Sequence, residues 1–152
     1  MKSFIITAIG SDRPGIVSEI TNLITSHGAN IEESKMSKMG SDFAIIMLIK
    51  VLGEWNNSLD VSLHSIPDLT ISIKETQEHQ RLNHNRNIKL NGADNEGIVN
   101  ILSKYLADNM INISEMETNI SSAPMTGTPL FNLSANVVFP EQINEENIRK
   151  DL

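Results

Sequence analysis

The sequence predicts an α+β protein made of two consecutive βαββαβ units, each an antiparallel sheet with helices on one face. Three observations predict it. Within residues 1–78 the apolar residues switch between strand-like and helix-like spacing in the order β-α-β-β-α-β. Residues 10–33 recur 82 positions later. Between the copies lies "QEHQRLNHNR", residues 77–86, polar and without period. The expected organisation is a first unit at 1–78, a linker at 79–86 and a second unit at 87–152.

The first unit opens with "SFIITAI", a β-rich run ended by Gly10. From Pro14 the spacing changes: Ile16, Val17, Ile20, Leu23 and Ile24 fall on one face of a helix, with Ile16, Ile20, Leu23 and Ile24 expected in the core. Pro14 suits the first helical turn and Gly28 the position just past its end. "NIEESKMSKM" is extended but polar, and a Gly40-Ser41-Asp42 turn leads into "FAIIMLIKV", with Phe43, Ile45, Met47 and Ile49 on one face. "EWNNSLDVSLHSI" predicts a second helix carrying Trp55, Leu59, Leu63 and Ile66, stopped by Pro67. "LTISIKET" alternates as a fourth strand. This order is the ferredoxin-like unit.

The second copy keeps eight identities in the 24 positions of the repeat: Gly10/Gly92, Asp12/Asp94, Gly15/Gly97, Ile16/Ile98, Val17/Val99, Asn30/Asn112, Ile31/Ile113 and Glu33/Glu115. Its helix face is kept in type as Ile98, Leu102, Tyr105 and Leu106. "SSAPMTGTP" lengthens the turn before a strand bearing Phe131, Leu133, Ala135 and Val137. The chain stops inside a candidate helix, "FPEQINEENIRKDL", so the fourth strand of the second sheet is expected to be missing: either the domain is truncated or a partner supplies that edge. An internal repeat of one supersecondary unit carries the assignment.

Composition narrows the function. There is no cysteine, which excludes disulfides, thiolate metal sites and a cysteine nucleophile. Nineteen acidic residues against twelve Lys and Arg give a net charge of −7. No basic stripe interrupts them, so direct nucleic-acid binding is not expected. The apolar start, Phe4 to Ile9, is too short for a secretory segment or a membrane span, and a cytoplasmic protein is expected. His27, His64, His79 and His84 stand at no metal-ligand spacing, and Met36, Met39 and Met47 suit a core or an interface. The frame Gly10 to Gly15 lacks the Lys-Ser/Thr of a phosphate loop. No catalytic residue, metal or cofactor is assigned.

The recurring turn has two readings. Asp12 and Asp94 could cap the helices that follow, taking up an orphan N–H. Alternatively the turn cradles a ligand, with helix N–H groups facing a carboxylate and the aspartate facing an ammonium. An α-amino acid carries both groups.

The turn "DRPGIV", the Asn30-Ile31 that opens the next strand and "GSDF" before the third strand resemble the ACT domain, a small ferredoxin-like module that binds amino acids and regulates enzymes or transcription. The likeness spans residues 3–76 and, less closely, 87–139, so the chain resembles a tandem ACT protein. The ACT piece of formyltetrahydrofolate deformylase has a similar turn, which leaves a regulatory piece of an enzyme as an alternative; a dimerisation scaffold without ligand is another. The resemblance implies a ligand site of Asp12, Arg13, Pro14, Gly15 and Ile16 with Asn30 and Ile31. In the second copy it implies Asp94, Gly97, Asn112 and Ile113, with Asn95-Glu96 replacing Arg-Pro. It further implies a small amino acid such as glycine or serine as ligand and a protein partner such as a transcription regulator in place of DNA. Apart from the resemblance, exposed sheet edges tend to be paired or covered, so a homodimer is expected.

Overall fold

The computed structural model describes residues 1–77, 85–93, 97–122 and 127–140, together with 146, 148 and 150. The chain divides into two compact units, Met1–His79 and Gln80–Leu152.

The first unit runs β1 (Lys2–Ser11), α1 (Ile16–Ser26), β2 (Asn30–Met39), β3 (Asp42–Val51), α2 (Asn57–His64) and β4 (Leu69–Thr76). Its antiparallel sheet has the order β2-β3-β1-β4. β1 is central, pairing Ser11 with Asp42 of β3 at one end and Lys2 with Val51 at the other. Phe4, Ile6 and Ala8 of β1 and Ile45, Met47 and Ile49 of β3 meet Ile16, Ile20 and Ile24 of α1 and Leu59 and Leu63 of α2 in one core. This is the ferredoxin-like arrangement.

Several elements differ locally from expectation. β1 continues through Gly10 to Ser11, because Gly10 still pairs with Phe43 and Leu69 on either side. α1 begins at Ile16, with Gly15 as its N-cap, so Pro14 lies in the preceding turn and not in the first helical turn. Leu23 is only half-buried, packed on the edge of the core. α2 is shorter than the apolar spacing suggests, because the Asn56 side chain accepts from Ser58 N–H and caps it there. Trp55 therefore precedes the helix, donates its indole N–H to Asp60 Oδ2 at 3.1 Å, and packs its ring 4.5 Å from that of Phe4. Met47 is core, Met36 lies at the core's edge, and Met39 is exposed.

The second unit runs β5 (Asn85–Ala93), α3 (Ile98–Asp108), β6 (Asn112–Ser122) and β7 (Pro129–Val138), in the sheet order β5-β7-β6. β5 begins at Asn85, so Asn85 and Arg86, expected in the linker, are strand residues; 79–84 lie outside the described residues. The core gathers Leu102 and Leu106 of α3, Leu133, Ala135 and Val137 of β7, and Ile148, which lies in a helical segment. Tyr105 packs against its edge, while Ile98 is half-buried.

The outer face of this second sheet is polar and bonded to itself. Asn87 donates to Asn136 Oδ1 at 2.8 Å, Asn136 to Glu115 Oε2 at 3.0 Å, and Asn132 to Asn119 Oδ1 at 3.1 Å. Cross-strand side-chain pairs of this kind help fix the register of the sheet.

Candidate functional site

The retained identities resolve into backbone devices. Gly15 and Gly97 are the N-caps of α1 and α3, both with φ 88°, a left-handed conformation that penalises any side chain. Neither helix has a side-chain cap. Asn30-Ile31 and Asn112-Ile113 open β2 and β6, and in each the register slips between that isoleucine and the glutamate two residues on, Glu33 or Glu115. The shared Asn-Ile-x-Glu thus encodes a β-bulge, which turns the strand at its start.

Asp12 does not cap α1. Its N–H donates to Ser41 O at 3.1 Å, and its carboxylate Oδ2 accepts from Lys38 Nζ at 2.8 Å. Lys38 comes from the end of β2, two residues before the Gly40 turn, so the turn is clasped to the β2–β3 hairpin. Arg13 pairs with Glu19 on the first turn of α1. Ile16 N–H donates to Arg13 O at 3.4 Å, and the helical ladder starts with Glu19 N–H to Gly15 O at 2.9 Å. Val17 and Ser18 lie before that ladder, at the positive end of the helix dipole. The turn therefore presents one carboxylate, one ammonium and the start of a helix within a few residues. Lys38 and Glu19 were not legible as site residues, since each belongs to an element whose own pattern explains it.

Asn30 and Ile31 stand elsewhere. Asn30 pairs with Lys50, at the opposite end of β3 from Asp42, which pairs with Ser11 beside the turn. Eight residues of strand separate the two ends, about 27 Å. Asn30 bonds to Glu32 Oε1 at 2.7 Å, and Ile31 packs on the core. Within one unit, no small amino acid touches both Asp12 and Asn30. In the second unit Asn112 and Ile113 pair with Val138 and Val137, at the Asn85 end of β5, while Gly97 follows the other end of that strand. Asp94, with Asn95 and Glu96, lies outside the described residues. His27 bridges the helices, its ring 2.7 Å from Leu23 O and 3.0 Å from Ser58 Oγ. Among the described residues no His, Asp and Glu gather in a metal-binding group, and no helix is long and apolar enough to cross a membrane.

Comparison with known proteins gives this geometry its context. An ACT domain family model matches residues 2–66. The glycine cleavage system transcriptional repressor of Escherichia coli (strain K12) is 27% identical over 154 residues, 96% of this chain and 80% of that protein. A UPF0237 protein of Methanococcus maripaludis is 30% identical over 84 residues, 54% of this chain and 92% of its own length. Among solved structures, an unknown protein from Galdieria sulphuraria superposes with a TM-score of 0.80 at 32% identity, over 97% of this chain and 88% of that one.

Proposed function

Since the chain belongs to the ACT domain family, we propose that it is a non-enzymatic, cytoplasmic regulator that senses a small amino acid at the β1–α1 turn of its first unit and acts through protein contacts. Glycine and serine are the first ligands to try, because the bacterial relative bears the name of a glycine cleavage repressor. The observation that carries the reading is the Asp12–Lys38 pair beside the start of α1. In this reading the ligand ammonium replaces Lys38 on Asp12, and its carboxylate takes Lys38 and the N–H groups of Val17 and Ser18. The ion pair is exposed, and such pairs contribute no more than about 1 kcal/mol, so a zwitterion can displace it. A net charge of −7 favours a protein partner, such as a transcription regulator, over DNA.

Ligand at about 100 times its dissociation constant should stabilise the binding unit by roughly 2.7 kcal/mol, a melting shift on the order of 5–10 °C. The experiment screens the amino acids by thermal shift on wild type, Asp12→Ala and Lys38→Ala. A shift present in wild type and lost in both variants supports sensing. No shift with any amino acid rejects it.

A second reading has its own observation. The Asp12 and Arg13 charges are already matched within the chain, by Lys38 and Glu19. A scaffold that only associates would need no more, and the failed screen would leave this reading in place.

A further inference from the structure

On the face of the second sheet opposite its core, side chains from β5, β7 and β6 line up in rows across the strands. Two neighbouring amide rows are closed by their own hydrogen bonds. Asn87 donates to Asn136 and Asn136 to Glu115 in one, and Asn132 donates to Asn119 in the other. The row between them is Lys89–Ser134–Glu117, set by the pairing of Lys89 and of Glu117 with Ser134. Among the described residues the side chains of Lys89, Glu117 and Asn91 make no ion pair or hydrogen bond. Ser134 Oγ accepts from Asn87 Nδ2 at 3.3 Å, and its own hydrogen is left to donate. These groups line a depression of about 120 Å³ together with Asn119 and Asn132. The same row of the first sheet is Thr7–Ile46–Lys35, so the fold itself does not require an ammonium facing a carboxylate there.

We infer that this depression binds a small zwitterion whose two charges are held apart by an amide, a molecule of the dipeptide class. Lys89 takes the carboxylate and Glu117 the ammonium, and the ligand lies across β7 over Ser134. The backbones of β5 and β6 are two strand spacings apart, about 9.5 Å. A single α-amino acid has one carbon between its charges and meets both groups only if Lys89 leans across the central strand. A peptide unit between the charges spans the gap. That inner amide meets the Ser134 hydroxyl, which donates, and the Asn91 side chain, which donates and accepts. Because the two free charges have opposite sign, a ligand with only one charge satisfies half of the site. The depression lies in the other unit from the β1–α1 turn and is untouched if the ligand screen at that turn fails.

The test titrates the full chain with diglycine, up to tens of millimolar because exposed ion pairs are weak. NMR follows the side-chain amide signals of Asn91, Asn119 and Asn132, which should move together and saturate. N-acetyl-diglycine lacks the ammonium and diglycine amide lacks the carboxylate. Each should bind at least about threefold more weakly, as should diglycine to Lys89→Gln and to Glu117→Gln. Glu117→Gln should cost the acetylated probe nothing further, since the group that Glu117 meets is already gone. Asp12→Ala should bind diglycine as wild type does. Four results overturn the proposal: no saturable movement, blocked probes or glycine binding as tightly as diglycine, binding unchanged in both Lys89→Gln and Glu117→Gln, or loss of the movement in Asp12→Ala, which would put the ligand at the turn.

Discussion

Gly10 and Gly92 hold the same place in the repeat, yet a methyl group should tell them apart. Gly10→Ala puts a Cβ 2.0 Å from Asp68 O and 2.7 Å from Leu69 Cδ2, so β1 and the α2–β4 turn must separate. The expected loss is at least about 1–3 kcal/mol. Gly92→Ala meets open space and should stay within about 0.5 kcal/mol of wild type. Urea unfolding of both variants measures this, and equal effects would refute the steric account. A second pair is informative at the helix ends. Gly28 and Met110 both follow a C-cap with positive φ, 77° and 55°. In each copy the next N–H reaches back into the last turn, Ala29 to Ile24 O and Ile111 to Leu106 O, which is the Schellman closure. Glycine adopts that conformation freely, and methionine is strained there. Met110 is exposed, so its side chain contributes little packing. Met110→Gly should therefore stabilise the second unit by about 0.5–1 kcal/mol, and a loss of stability would show that the strain is relieved elsewhere.

Among the elements, α1 shows how a helical stripe divides. Ile16, Ile20 and Ile24 are its buried residues, spaced at four, while Leu23 sits at the rim. Ile20→Ala should cost about 2–5 kcal/mol, and Leu23→Ala distinctly less, because that side chain is only partly buried. Chemical denaturation orders the two, and the reverse order would move the face. β2 has a different logic. It is an edge strand whose Glu32, Glu33, Lys35 and Lys38 are all exposed, a charge density that discourages further pairing along that edge. The bulge between Ile31 and Glu33 twists the strand near its entry, and Lys38 at its exit clasps Asp12. The strand's polarity, unusual for a sheet, follows from these roles.

The whole molecule is acidic, with a formal charge of −7, and offers no described surface suited to phosphates. At physiological salt it should not retard duplex DNA in a gel, and the proposed regulation through protein contacts predicts a dimer in sedimentation. β4 is the less charged edge of the first sheet, with Thr70 and Ser72 exposed along it, and is the edge along which two copies should meet. A monomer at high micromolar concentration, or salt-dependent DNA retention, would count against this picture.

The sequence by itself determined the repeat, the element order and most of the core, because hydrophobic period and glycine placement act over a few residues and are written in linear spacing. Ile20, Met47 and Leu59 could be placed inside from pattern alone. It could not determine which retained residues share a site. Asp12 and Asn30 recur together in both copies and are 18 positions apart, yet strand register sends them to opposite ends of the sheet. Nor could it show that Lys38 lies on Asp12, or that Asn-Ile-x-Glu marks a bulge, since both depend on how β2 aligns with β3. Local spacing fixes which face a side chain takes. Only pairing between distant strands decides who its neighbours are, and here that pairing sets the Asp12 turn and the Asn30-Ile31 strand entry at opposite ends of one sheet.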